Sequence, residues 1–200
     1  MKVVGCGIPR SGSTLVWQIL QAVFPTQIVL KTHPDIWQPD GSMAFVSIRY
    51  PRDVVASLYR VHLSRAGRQQ GTSDDLEACI CRMEVSFAAL PKVLGGPFEM
   101  LRFEAFYQSH HIVYDAIEDA LAVLIPDAVR TRISKLFSLE QNRARSAVLK
   151  DFNAVDKDHV HGDHYGPAAP GYWDKTLPGW ALPEVVRRCK PVEVEWDYVR

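Results

Sequence analysis

Three short stretches of this chain put cations and hydroxyls where apolar runs stop. The first reads GIPRSGST over residues 7–14. Gly7 and Gly12 have the separation of the two glycines in a Walker A phosphate loop, and Thr14 falls on that motif's Ser/Thr, but Ser13 stands at its lysine position. Such a loop still draws an anion, because the first amides of the following helix lack intrahelical partners and the helix dipole favours negative charge. It lacks the lysine that reaches the β- and γ-phosphates of a nucleoside triphosphate, and it offers Arg10 instead. The expected ligand is therefore a phosphate other than a triphosphate in the usual pose. The same residues also fit a plain Gly/Ser turn with Ser13 or Thr14 as a helix cap.

The second stretch is Lys31-Thr32-His33. In an extended chain the period of two puts Lys31 and His33 on one side. A histidine there suits a general base near neutral pH, although a single histidine fits a structural role as well. The third is RYPRDVVAS, from Arg49 to Ser57. Pro51 and Asp53 suit the first turn of a helix, so Ser57 falls a turn or so further on, on the side able to face back to Arg49. An arginine and a hydroxyl converging there suit a phosphate, with charge-assisted bonds of about 1.5–3 kcal/mol each. Taken by itself, Arg49 equally fits a surface arginine at a helix start.

The surrounding pattern supplies the elements that would hold these groups. Apolar runs at residues 3–6, 27–30, 43–48 and 97–103 read as short strands. Helical spacing follows the first run up to Pro25, and follows Pro51 through Val54, Val55, Leu58, Tyr59 and Leu63. Further helices are expected at about 74–90, with Ser73 and Glu77 marking a capped start, and at 110–124 and 127–138. Residues 140–179 are polar and rich in His, Gly and Pro, and read as a long closing loop. A last amphipathic piece at 182–189 precedes a tail in which Val and Glu alternate. Strands alternating with helices predict a three-layer α/β fold with a mainly parallel sheet, in which ligands bind beyond the carboxyl ends of the strands. Those ends carry PRSGST, KTH, RYPRD and RFE.

Composition narrows the function classes. With 23 basic and 23 acidic side chains the formal charge is zero, so no global field draws the chain to nucleic acid or a membrane surface. No stretch is long enough to span a bilayer, and Pro9, Arg10 and Ser11 interrupt the N-terminal apolar run before a signal-peptide core is complete. Cys6, Cys79, Cys81 and Cys189 show neither a CxxC pair nor zinc spacing and read as reduced thiols. His159, His161 and His164 cluster, but no carboxylate or cysteine accompanies them at a metal-ligand spacing. One cytoplasmic domain over residues 1–200 is expected, and no metal.

The order and wording of these stretches resemble the sulfotransferases that use 3′-phosphoadenosine 5′-phosphosulfate (PAPS). In that family a PxSGT-type loop grips the 5′-phosphosulfate; it stands here as Pro9, Arg10, Ser11, Gly12, Ser13 and Thr14. An Arg-x-Pro-Arg/Lys-Asp stretch, with a serine eight residues after its first arginine, grips the 3′-phosphate, which the resemblance assigns to Arg49 and Ser57. Cytosolic members carry a K-T-H whose histidine is the base and whose lysine contacts the transferred group. Here that is Lys31 and His33. A late glycine-rich segment ending in G-x-W closes over the cofactor, and GPAAPGYWDK, with Gly166 and Trp173, looks like it. Arg102-Phe103-Glu104 takes the place of an R-Y-E whose aromatic lies near the adenine.

The resemblance implies a P-loop nucleotide-binding fold, PAPS as cofactor with adenosine 3′,5′-bisphosphate (PAP) as product, and no required metal. It makes His33, Lys31 and Arg10 the catalytic candidates. The acceptor would be a hydroxyl on a small molecule, carbohydrate, lipid or peptide. The chain departs from the family in three places. Arg10 replaces a common lysine, the long insertion of animal enzymes between Thr14 and His33 is missing, and the late loop lacks Arg-Lys-Gly. His161, His164 and Glu104 are alternatives for the base. A P-loop kinase and a non-catalytic PAPS- or PAP-binding protein are the rival readings. The missing Walker lysine, and an arginine rather than an aspartate at the end of the 43–48 run, count against the kinase.

Overall fold

The computed structural model describes residues 2–162 and 169–198. Four apolar runs become strands: β1, Val3–Gly7; β2, Val29–Thr32; β3, Met43–Ile48; and β4, Phe98–Arg102. They form one sheet in the order β2-β1-β3-β4, and all three pairings are parallel. The register sets Cys6 against Thr32, Gly7 against Ser47, and Ile48 against Arg102, so every carboxyl end lies on one edge. The chain leaves β1 for β2 on one side and β3 for β4 on the other. The crevice between the β1 and β3 ends is therefore the topological switch point where such sheets bind ligands.

Ten helices are described: α1, Ser13–Val23; α2, Pro51–Arg65; α3, Ser73–Ala88; α4, Leu90–Val93; α5, Phe103–Phe106; α6, His111–Leu121; α7, Asp127–Leu136; α8, Leu139–Ala147; α9, Trp173–Thr176; and α10, Leu182–Glu195. Alternation along the strands divides the core between two helical layers. Val4, Cys6, Ala44, Val46 and Ile48 pack under α2, α3 and α10, whereas Val3, Phe45 and Leu101 pack under α1, α6 and α7. The three-layer α/β architecture expected from the sequence is the one observed. Among the described residues no helix is long and apolar enough to cross a membrane.

Three local expectations are corrected. The cap of α3 is Thr72, not Ser73: its hydroxyl accepts from the Asp75 amide while the Asp75 carboxylate accepts from the Thr72 amide, a reciprocal capping box. Residues 139–147, read as part of a loop, form α8, a helix that buries Asn142 and Ser146 rather than an apolar stripe. The alternating tail is helical through Glu195, with Pro191 inside α10. Glu193 there is buried against Arg52, 2.6 Å from its Nε, so one apparent surface acid anchors the helix to α2.

Candidate active site

The turn after β1 is built by contacts that leave little freedom. Ser11 is fully buried, and its hydroxyl lies 2.7 Å from the Ile8 carbonyl, 2.8 Å from the Ser47 carbonyl and 2.7 Å from the Ser47 hydroxyl. Its amide donates to the Ile8 carbonyl. Ser11 therefore ties the loop to β3, and the helical amides from Gly12 onward are those facing an incoming anion. Gly12 has φ +80°, and a Cβ there would come 2.8 Å from Phe103 Cδ2. Gly7 runs so close to β3 that a Cβ would lie 2.0 Å from Ser47 Oγ. The two glycines are required for different reasons: close strand approach at Gly7, left-handed backbone at Gly12. Pro9, Ser13 and Thr14 are buried around this turn.

Cations converge on the loop from three directions. Arg10, itself at φ 69°, donates from Nε to Ser57 Oγ at 2.9 Å, joining the loop to α2. Lys31 Nζ donates to Thr14 Oγ1 at 2.8 Å from the end of β2. Burial and the neighbouring Arg10 charge push the Lys31 ammonium down to about 8. Arg49 is 6% exposed at the end of β3. It donates to the Arg10 carbonyl at a long 3.4 Å, stands 3.8 Å from Asp53, and stacks 4.5 Å from the Phe103 centroid. Its Nε is buried and has no hydrogen-bond partner among the described residues. Burial lowers the Arg49 pKa and raises that of Asp53, so pairing across 3.8 Å does not offset desolvation for either group. Such an arginine has donors to spare for a ligand anion.

His33, just past β2, lies with Nδ1 2.6 Å from the Gly7 carbonyl. A carbonyl only accepts, so Nδ1 carries the proton and Nε2 keeps its lone pair. Burial, aided by the Lys31 charge, lowers the His33 pKa and keeps the ring neutral near pH 7. The other candidates for a base are placed differently. Glu104 accepts from the Tyr50 amide at 2.8 Å and from the Tyr198 hydroxyl at 3.5 Å, after β4 at the opposite side of the sheet from β2. His161 has Nδ1 2.9 Å from the Phe152 carbonyl and stacks on that ring, while His159 packs edge-on to Trp17. His164 and Gly166 lie outside the described residues. Among the described residues no group of three or more His, Cys, Asp and Glu could hold a metal.

A cleft runs from the loop along α2. Arg10, Gly12, Thr14, Arg49, Ser57 and Phe103 line one part, with Asn142, Tyr172 and Trp173 completing its walls. Against solved structures, the chain is similar to mouse sulfotransferase SULT7A1 complexed with PAP, at 10% identity and a TM-score of 0.67 over 96% of this chain and 85% of that one. It is similar also to retinol dehydratase in a complex with retinol and PAP, at 13% identity and a TM-score of 0.61, over 96% and 81%. The fold is that of these PAP-bound proteins. No family model and no curated protein matches the sequence.

This sulfotransferase-like fold brings Arg10, Ser13, Thr14, Lys31, His33, Arg49 and Ser57 together at the switch point, with Phe103 packed beneath Arg49 and Trp173 across the cleft. Sequence reasoning missed Asp53, which it took for a helix-opening acid. Its buried carboxylate accepts from the Gly171 amide at 2.8 Å and the Trp173 amide at 3.1 Å, and so seats the late segment beside Arg49. The only sequence signal was its place in RYPRD, since the partners are backbone amides 118 and 120 residues away. Asn142 and Arg60, which also line the cleft, were missed for the same kind of reason.

Proposed function

We propose that the chain transfers a sulfuryl group from PAPS to a hydroxyl acceptor by in-line displacement. The observation that carries this reading is the under-satisfied, buried Arg49 set beside a phosphate-type loop whose lysine position holds Ser13. Two anion sites then lie one on each side of the switch point. The loop amides and Arg10 suit a 5′-phosphosulfate, and Arg49 with Ser57 suits a 3′-phosphate. The buried donors fit the ligand, because Arg49 Nε gains the acceptor it lacks. PAPS, when bound, supplies an activated sulfuryl group on a nucleotide that leaves readily.

The chain's own groups do the rest. His33 Nε2 takes the acceptor proton as the new sulfur–oxygen bond forms and the bond from sulfur to the 5′-phosphate oxygen breaks. Lys31 and Arg10 would hold the sulfuryl end of PAPS and supply fixed positive charge where negative charge develops during transfer. Asp53 keeps Trp173 over the cleft. The retinol complex of one similar structure supports a small-molecule hydroxyl as acceptor, and a cytoplasmic location accords with that role. Calorimetry tests the reading: PAP binds with and without EDTA, whereas ATP with magnesium binds at least about tenfold more weakly. Magnesium-dependent ATP binding tighter than that of PAP would establish the kinase instead. PAP binding with no turnover of labelled PAPS on any hydroxyl acceptor would leave a sensor.

A further inference from the structure

Outside the nucleotide cleft, a single aromatic ring gathers cationic side chains. Phe152 is buried, and His161 stacks on it with centroids 4.7 Å apart and planes 10° from parallel. The guanidinium carbon of Arg65, at the last turn of α2, lies 4.2 Å from the same ring centroid, and that of Arg10 lies 5.7 Å away. Arg65 is thus at most those two distances combined from the loop cation. Neither Phe152, His161 nor Arg65 lines the nucleotide cleft. Burial lowers the His161 pKa, and the charges of Lys31, Arg10 and Arg65 add to that effect. His33 follows Lys31 at the end of β2, and Gly7 holds its Nδ1, which leaves Nε2 as the reacting nitrogen of the proposed mechanism. On the sulfotransferase reading Lys31 and Arg10 hold the transferred group, so an acceptor hydroxyl approaches beside the ring that Arg10 and Arg65 share.

Arg65 differs from most arginines of this chain. Arg82, Arg130, Arg145 and Arg188 each meet carboxylates. Arg65 is exposed and, among the described residues, makes neither an ion pair nor a hydrogen bond; its partner is the Phe152 face. Asp156 and Asp158, in the same segment as Phe152, are held by Arg145. A guanidinium held over a ring face, with no ion pair or hydrogen bond of its own, leaves its N–H donors for a carboxylate or sulfate. Arg10, Lys31 and Arg49 have tasks on the donor, and Arg65 is a cation beyond them.

We infer that Arg65 determines acceptor specificity by selecting hydroxyl compounds that carry a second, anionic oxyacid group, a carboxylate or a sulfate, near the reacting hydroxyl. The inference rests on the sulfotransferase reading and deepens it. The test uses the whole protein saturated with PAP and titrated by calorimetry with two phenols of equal length, 4-hydroxyphenylacetate and tyramine. Wild type binds the anionic phenol at least about tenfold more tightly, Arg65→Lys keeps the order, and Arg65→Glu reverses it. Hydroquinone monosulfate, as a third probe, tells whether sulfate or carboxylate is favoured; either one outranking the amine in wild type and not in Arg65→Glu supports the inference. Binding that is undetectable, or that ignores probe charge in both wild type and Arg65→Glu, overturns it while PAP binding leaves the sulfotransferase reading standing. Failure of PAP itself to bind overturns that reading and this inference with it.

Discussion

Replacing Arg49 by methionine separates a ligand-binding arginine from a structural one. In the free protein Arg49 is 6% exposed, and among the described residues its guanidinium has one long bond of 3.4 Å and an ion pair at 3.8 Å and leaves Nε unpartnered. A side chain held this way adds little to stability, and an apolar replacement of similar volume for a buried ion is commonly neutral or stabilising. Asp53 keeps its bonds from Gly171 and Trp173 in the variant. The midpoint of thermal unfolding should move by less than about 4 °C, corresponding to roughly 1–2 kcal/mol in a chain of this size. A bound 3′-phosphate, by contrast, would take two charge-assisted bonds from Arg49, about 1.5–3 kcal/mol each. Loss of both weakens PAP by about a hundredfold or more, whereas adenosine 5′-phosphosulfate, without the 3′-phosphate, weakens by less than about threefold. Calorimetry with both ligands and a melting curve measure all three quantities. Equal losses for the two ligands, or a fall of more than about 10 °C with PAP binding intact, would refute the assignment and make Arg49 structural.

Three further substitutions and a pH profile probe the rest of the site. His33→Ala should lower turnover by about a hundredfold or more while PAP affinity stays within about threefold, as measured by labelled-PAPS transfer and calorimetry. For kcat/KM against pH, the base must be neutral and Lys31 charged. The rising limb therefore lies below the ordinary 6.5 of histidine, and the falling limb lies near 8. Lys31→Arg should remove the falling limb alone, and an unmoved limb would deny Lys31 that role. Asp53→Asn replaces an acceptor facing two amides by a group that donates on one side. It should cost about 1–3 kcal/mol and lower the melting midpoint by about 2–10 °C, partly offset because a buried charge is removed. PAP affinity should fall with it as the 171–173 turn leaves the cleft, and an unchanged melting curve would show that the turn is held by something else.

Strand ends were the most legible part of this molecule, because four short apolar runs stop abruptly at cations and the parallel fold brings such ends to one edge. PRSGST, KTH and RYPRDVVAS could be located from residue type and spacing alone, but Ser57, paired with Arg49 in the sequence, bonds Arg10 in the structure. The helix Leu139–Ala147 could not be seen, because it buries Asn142 and Ser146 and shows no apolar period. The extension of α10 beyond Cys189 was hidden for the opposite reason. Its Val/Glu alternation has the period of a strand, and Pro191 argues against a helix interior, yet burial of Cys189 and the Arg52–Glu193 pair holds the helical form. The role of Asp53 was illegible because backbone amides carry no sequence signature.

The buried bonds from Ser11 to the Ser47 carbonyl and hydroxyl have a consequence for selectivity. They fasten the loop that would receive one anion to the strand that ends in the receptor for the other. If both anions bind as proposed, the two receptors cannot adjust their separation independently, and the molecule would act as a fixed gauge between them. A ligand with its second phosphate moved from the 3′- to the 2′-oxygen has the same charge and composition but the wrong span. Electrostatic attraction alone would accept both isomers; a gauge accepts one.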